Sequence, residues 1–245
     1  MANDLMCAIE ALKTAGLRPS EALAGRVIRH GDAAIAPLLE LASDTAVLRD
    51  PAPQRYAPIH ALRLLGEIAT VELIAPLLLH YRAAMGDNQV AIDWQREVWY
   101  TVARPGAAAL PLLEAFFDDA ANPIDGRLGA LIGVSYAPAA SPEVRGAAAA
   151  WLRERLAASD DRLITGHLCA ALANMAASEA YGDVMARFRA GEVDTEVINA
   201  GTARQFLLGS AKERLAFALL PLWERYEQHG PFPDEALDME LYDEE

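Results

Sequence analysis

Three side chains suited to act together stand at His60, Arg63 and Glu67. Their i, i+3, i+7 spacing puts an imidazole, a guanidinium and a carboxylate on one helix face, where they could hold a polar ligand. The commoner meaning of such a face is solvation. The other histidines, His30, His80, His167 and His229, do not turn the triad into a metal site. No two histidines have the i, i+4 spacing with a carboxylate that holds a metal on one helix, so neither metal nor cofactor is expected. Trp94, Trp99 and Tyr100, with Arg96 and Glu97 between them, form the densest aromatic cluster. It could stack a planar ligand, although packing between helices accounts for it more simply. Neither a glycine-rich phosphate loop nor a Gly-x-Ser-x-Gly elbow occurs. Cys7 and Cys169 lie far apart and are expected to pack as small buried hydrophobes.

The elements that would position these residues repeat along the chain. Ile35-Ala36-Pro37-Leu38-Leu39-Glu40 returns as Ile74-Ala75-Pro76-Leu77-Leu78-Leu79 and as Ala109-Leu110-Pro111-Leu112-Leu113-Glu114. A fourth copy reads Leu219-Leu220-Pro221-Leu222-Trp223-Glu224. The prolines are 39, 35 and 110 residues apart, the last interval about three periods. A period near 37 residues around an apolar helical stripe predicts an all-α solenoid of about six stacked antiparallel helix pairs, HEAT-like, in one domain over residues 1–229.

First helices are expected near 3–15, 33–43, 71–85, 106–118, 142–158 and 179–190. Their partners are expected near 19–30, 53–67, 93–103, 125–136, 162–175 and 195–208, with a last helix near 211–228. Two slots without proline fall near Ala150 and Ala186. A proline inside each first helix would bend it and so curve the stack. Asp50, Asp93, Asp125, Asp161 and Asp194 each precede a second helix and are expected to cap it.

The formal charge of the 245-residue chain is −14, and seven acids fall within the last twelve residues with no base among them. The rest is mildly acidic, which speaks against nucleic acid, whose phosphates call for clustered Lys or Arg. Gly230-Pro231-Phe232-Pro233 breaks the last helix twice, and residues 230–245 are expected to form an acidic tail. Asp118, Asp119 and Asp160 lie in turns along one edge of the stack, where a basic partner could dock. Lys13 and Lys212 are the only lysines against nineteen arginines, a bias that reads as base composition of the gene. No apolar run is long enough to span a bilayer, and the first residues lack a signal-peptide pattern. A cytoplasmic protein without a membrane partner is expected.

Two stretches carry a resemblance. Ala57-Pro58-Ile59-His60-Ala61-Leu62-Arg63-Leu64-Leu65-Gly66-Glu67 resembles a helix of uncharacterised bacterial HEAT-like proteins, some of which end in a SEC-C zinc-binding tail. Ala186-Arg187-Phe188, Gly191-Glu192-Val193-Asp194 and Leu207-Leu208-Gly209 resemble a later part of the same family. The tail here has no cysteine, so the zinc site of that family is not expected. The Asp93-Trp94 pair also invites comparison with HEAT-like DNA glycosylases, which are markedly basic where this chain is acidic. The His-Glu dipeptides of HEAT-like di-iron hydroxylases do not occur.

Together these features predict a non-catalytic scaffold that binds a protein or peptide partner along the concave face of a solenoid. Its polar positions on second helices would be His60, Arg63, Glu67, Arg96, Tyr100, Arg127, His167, Asn199 and Arg204. The alternative is a HEAT-like enzyme or cofactor chaperone, for which phycobilin lyases are the nearest precedent. Nucleic-acid binding ranks last on charge.

Overall fold

The computed structural model describes residues 2–82 and 88–232. Among them the secondary structure is entirely helical, fourteen α-helices with short 3-10 turns between them and no strand. Most of the acidic tail, residues 233–245, lies outside the described residues. The chain divides into two compact units, Met1–Ile68 with Ala84–Glu97 and Leu220–Glu245, and Ala69–Ala83 with Val98–Leu219.

The first unit is built around α4 (Ala57–Ile68), whose residues from Ala57 to Gly66 are all buried. Around it pack α1 (Ala2–Leu12), α2 (Glu21–Ile28) and α3 (Ile35–Ser43). A helix apolar on almost every side belongs inside a core, and α4 departs from that pattern only at His60, Arg63 and Glu67. The unit also takes the first half of α6 (Gln89–Ala103), through Glu97. There Trp94 is buried and donates its indole N–H to the Ala42 carbonyl at 2.8 Å. The remaining helix of this unit comes from the far end of the sequence: α14 (Leu222–His229) lies against α4.

The second unit contains three successive helix pairs. After α5 (Ile74–His80) come the pairs α7 (Leu110–Asp118) with α8 (Ile124–Ala140), α9 (Arg145–Ala158) with α10 (Arg162–Asn174), and α11 (Tyr181–Ala190) with α12 (Ala200–Leu208). The second helices α8, α10 and α12 pack side by side, each against its own first helix. Gly126, Gly129 and Gly133 form a buried strip on α8. A Cβ on Gly126 would come within 2.3 Å of the Leu78 carbonyl, and one on Gly129 within 2.9 Å of the Tyr81 ring. Only glycine lets α8 lie this close to α5 and the residue that follows it.

The repeated proline does not bend its helix. A 3-10 turn precedes each first helix after α1, at 31–34, 71–73, 106–108, 142–144 and 178–180, and the α-helix follows. Pro37 and Pro76 are the third residues of α3 and α5, and Pro111 the second of α7. In a first turn the missing N–H has no partner inside the helix, so proline marks the start rather than kinking it. The slots without proline therefore fall at Ala147 and Asp183, the third residues of α9 and α11, one turn before the expected Ala150 and Ala186.

The fourth motif copy departs from the series. Pro221 is the N-cap of α14, and the expected helix over 211–228 is broken before it. Its front part, α13 (Lys212–Ala216) with the 3-10 turn 217–219, packs on α8 instead of extending the row.

Of the five expected aspartate caps, Asp161 accepts from the Leu163 and Ile164 amides at the start of α10. Asp93 lies inside α6, and Asp125 is the second residue of α8. Asp194 holds a turn through the Glu196 amide, while Asn199 caps α12 through the Thr202 amide. Asp50 ends a 3-10 turn, ahead of a second 3-10 turn that leads into α4.

Candidate functional site

Two of the three polar residues of α4 do not face solvent, and Glu67 at its end is exposed. His60 and Arg63 are completely buried, and α14 is what covers them. On α14 the residues Leu222, Arg225 and Tyr226 are buried, an i, i+3, i+4 set on one face. Two of these three are polar, and they meet the polar residues of α4.

Glu97, at the end of the α6 segment in this unit, is the centre of the cluster. Arg63 Nε donates to its Oε1 at 2.6 Å and Arg225 Nη1 to its Oε2 at 3.0 Å. Burial alone would push the Glu97 carboxyl up, but the two guanidiniums outweigh it and hold the group below the usual carboxylate range. Arg225 Nη2 reaches Glu67 Oε1 at 2.9 Å and the Arg63 carbonyl at 3.3 Å. Arg63 Nη1 donates to the Gly230 carbonyl, just beyond α14, and its guanidinium lies 4.2 Å from the centre of the Tyr226 ring.

The tautomer of His60 follows from its neighbours. Nε2 is 2.9 Å from the Gly16 carbonyl, which can only accept, so Nε2 carries the proton. Nδ1, 2.9 Å from the Tyr226 hydroxyl, is then an acceptor, and the phenol donates to it. Burial pushes the imidazole down to about 4, against the help of the Gly16 bond, and nearby Arg63 adds to the shift. Burial likewise raises the Tyr226 phenol, which stays protonated and able to donate. Two guanidinium nitrogens of the cluster, Arg63 Nη2 and Arg225 Nε, have no hydrogen-bond partner among the described residues.

The nine expected partner-binding residues are dispersed. His60, Arg63 and Glu67 meet in the cluster, and burial takes the first two away from any open face. Arg96 is exposed and pairs with Asp93 at 3.6 Å. Tyr100 is buried edge-on against Tyr136, with ring centres 5.0 Å apart. Arg127 donates to the Phe117 carbonyl at 2.7 Å and lies over that residue's ring. His167 is half-buried, with Nδ1 3.0 Å from the Leu163 carbonyl. Asn199 is a helix cap, and Arg204 is exposed on α12. Buried side chains such as Arg63 and Tyr100 cannot line an accessible face.

Sequence reasoning missed Glu97, Arg225 and Tyr226. Glu97 was detectable, since it continues the buried stripe Val90, Ala91, Trp94 and Val98 at helical spacing. A charge on that stripe calls for a buried counter-charge. Arg225 and Tyr226 carried a weaker signal, a short amphipathic segment between Pro221 and Gly230-Pro231.

The other candidates for chemistry also have structural roles. Trp99 donates to the Tyr81 hydroxyl at 3.0 Å, so both tryptophans of the aromatic cluster are packing residues. Cys169 is buried, and burial pushes its thiol up to about 12, whereas Cys7 is exposed, contrary to expectation. Asp118 receives a two-point bond from Arg155, at 3.0 and 2.7 Å, within the fold. No group of three His, Cys, Asp or Glu among the described residues is arranged to hold a metal ion. Among these residues no helix is long and apolar enough to cross a membrane. No family model matches the chain, and no curated protein or solved structure matches it significantly.

Proposed function

We propose that this protein is a HEAT-type α-solenoid acting as a non-catalytic scaffold in the cytoplasm, and that it binds a protein or peptide along its row of second helices. The kinship to uncharacterised bacterial HEAT-like proteins, suggested by the α4 motif, belongs to the same proposal. The observation that carries it is the side-by-side row α8, α10 and α12, each helix backed by its own first helix. Such a row can meet an extended partner at several repeats at once. Ile124, Leu163 and Leu208 lie exposed on these three helices, as does Arg204. Apolar positions spaced along a polar surface suit a peptide better than a small metabolite, which needs a concave pocket.

Placing a photo-crosslinking amino acid at Leu163 or Arg204, and separately at Arg153 or Arg189, tests this reading. Discrete crosslinked partners from the first pair alone are expected. Equal capture from both pairs, or capture from first-helix positions alone, would refute the placement.

A further inference from the structure

The contacts of α14 differ in kind from those of the other helices around α4. Where α3 buries Leu38, Leu41 and Ala42, α14 buries one leucine, one arginine and one tyrosine. Its seat on the core offers two carboxylates, Glu97 and Glu67, an imidazole acceptor on His60, and the Arg63 guanidinium facing the tyrosine ring. These groups recognise a cation and a phenol, and they sit on helices that precede α14 by more than a hundred residues. The α14 segment is also self-contained. It has eight residues, follows Pro221 and ends before Gly230-Pro231. A helix this short is unstable alone and holds its shape only on its seat. Three anchors at i, i+3 and i+4 in such a seat are how an amphipathic peptide helix is bound in a groove.

The fit is incomplete. Arg63 Nη2 and Arg225 Nε are buried without a hydrogen-bond partner among the described residues. Each unmatched donor weakens the complex, because it has given up water without gaining a partner. An occupant that presents the same cation and phenol, and adds an acceptor for Arg63 Nη2, would be held more tightly than α14 itself.

We infer that the seat on α4 and the first half of α6 is a helix-binding groove, filled intramolecularly by α14, and that its outside ligand is an amphipathic helix bearing an arginine beside a tyrosine. The outside ligand rests on the scaffold reading above; the groove and its exchange with α14 do not. Binding in cis keeps the groove closed to weak ligands, since a tethered helix acts at an effective concentration of about millimolar. Only a partner that out-competes α14 would enter.

The test uses the full chain carrying Arg225→Ala and Tyr226→Ala, titrated with a fluorescent peptide of residues 219–232. The expected result is saturable binding to this variant and at least 100-fold weaker binding to the unaltered chain. The same peptide with both alanines should not bind. A variant that keeps native helix content but does not bind the peptide overturns the inference. A second measurement, hydrogen exchange on the unaltered chain, covers the case in which the variant unfolds. Amides of 222–229 should then exchange at least ten-fold faster than those of α4. Exchange of both helices in one common step makes α14 an integral part of the core and overturns the proposal. Exchange of α14 between two copies, with a concentration-dependent dimer, assigns the groove to a second chain and overturns the outside ligand. Peptide binding without any crosslinked partner keeps the groove and removes the scaffold reading.

Discussion

Acid should destabilise the first unit through His60, by an amount that follows from its surroundings. The imidazole is buried and neutral, and its folded value is pushed down to about 4 from an ordinary 6.5. The unfolded chain therefore takes up a proton between these values that the folded chain refuses. Stability from His60 is complete above pH 6.5 and falls as the pH drops toward 4. At about 1.4 kcal/mol per pH unit, the full loss is about 3 kcal/mol, and the loss between pH 7 and 4.5 is about 2.

Other groups in the neighbourhood act in the same sense. Burial lowers half-buried His229, and Glu97, held low by Arg63 and Arg225, loses its contribution as the pH falls below the carboxylate range. The His60 share is isolated by comparison with His60→Gln, which keeps a donor and an acceptor but does not titrate. Urea unfolding followed by circular dichroism at pH 7, 6, 5 and 4.5 would give the two curves. The unaltered chain should lose about 2 kcal/mol more than the variant over this range. Parallel curves would show that His60 is solvated or already charged, and the hydrogen-bond assignment to Tyr226 would fall with it.

Glu97→Gln should cost about 3–5 kcal/mol at pH 7, because two buried guanidiniums lose their shared counter-charge. Glu67→Gln, whose side chain is 28% exposed, should cost under about 1 kcal/mol, and similar losses from the two would refute the central role of Glu97. Gly126→Ala should lower the melting temperature, since its Cβ meets the Leu78 carbonyl, while Gly146→Ala in open space on α9 should raise it by helix propensity. A gain from both would mean that α8 and α5 are not in the close contact described.

The helices were legible in the sequence because their signal is local. Each buries its apolar stripe against a neighbour close by in the chain. The expected helices near 33–43, 106–118, 142–158 and 162–175 accordingly match α3, α7, α9 and α10 closely. The same local reading failed at the C-terminus for a physical reason. Leu219-Leu220-Pro221-Leu222 satisfies the repeat pattern, but its packing is decided by Arg225 and Tyr226, whose partners are far off in sequence. The His60–Tyr226 contact spans 166 positions. Without those partners in view, His60, Arg63 and Glu67 read as a solvated face. An apolar helix interrupted by one histidine and one arginine was in fact the receiving half of a buried polar contact.

Several arginines have structural roles that composition alone concealed. Arg187 donates to the Leu156 and Ala157 carbonyls at the end of α9, at 2.6 and 2.8 Å, and also pairs with Glu192. Arg145 reaches the Met175 and Ala176 carbonyls beyond α10 while pairing with Glu179. Arg214 spans the Ala173 and Asn174 carbonyls and lies over the Phe206 ring. The last carbonyls of a helix lack internal partners and carry its negative dipole end, so a cation that bonds two of them joins one helix to the next. A guanidinium can bond two carbonyls and a carboxylate together because its donors fan out in one plane, whereas a lysine ammonium offers one compact point of contact. Arg145, Arg187 and Arg214 each make such a joint in the second unit.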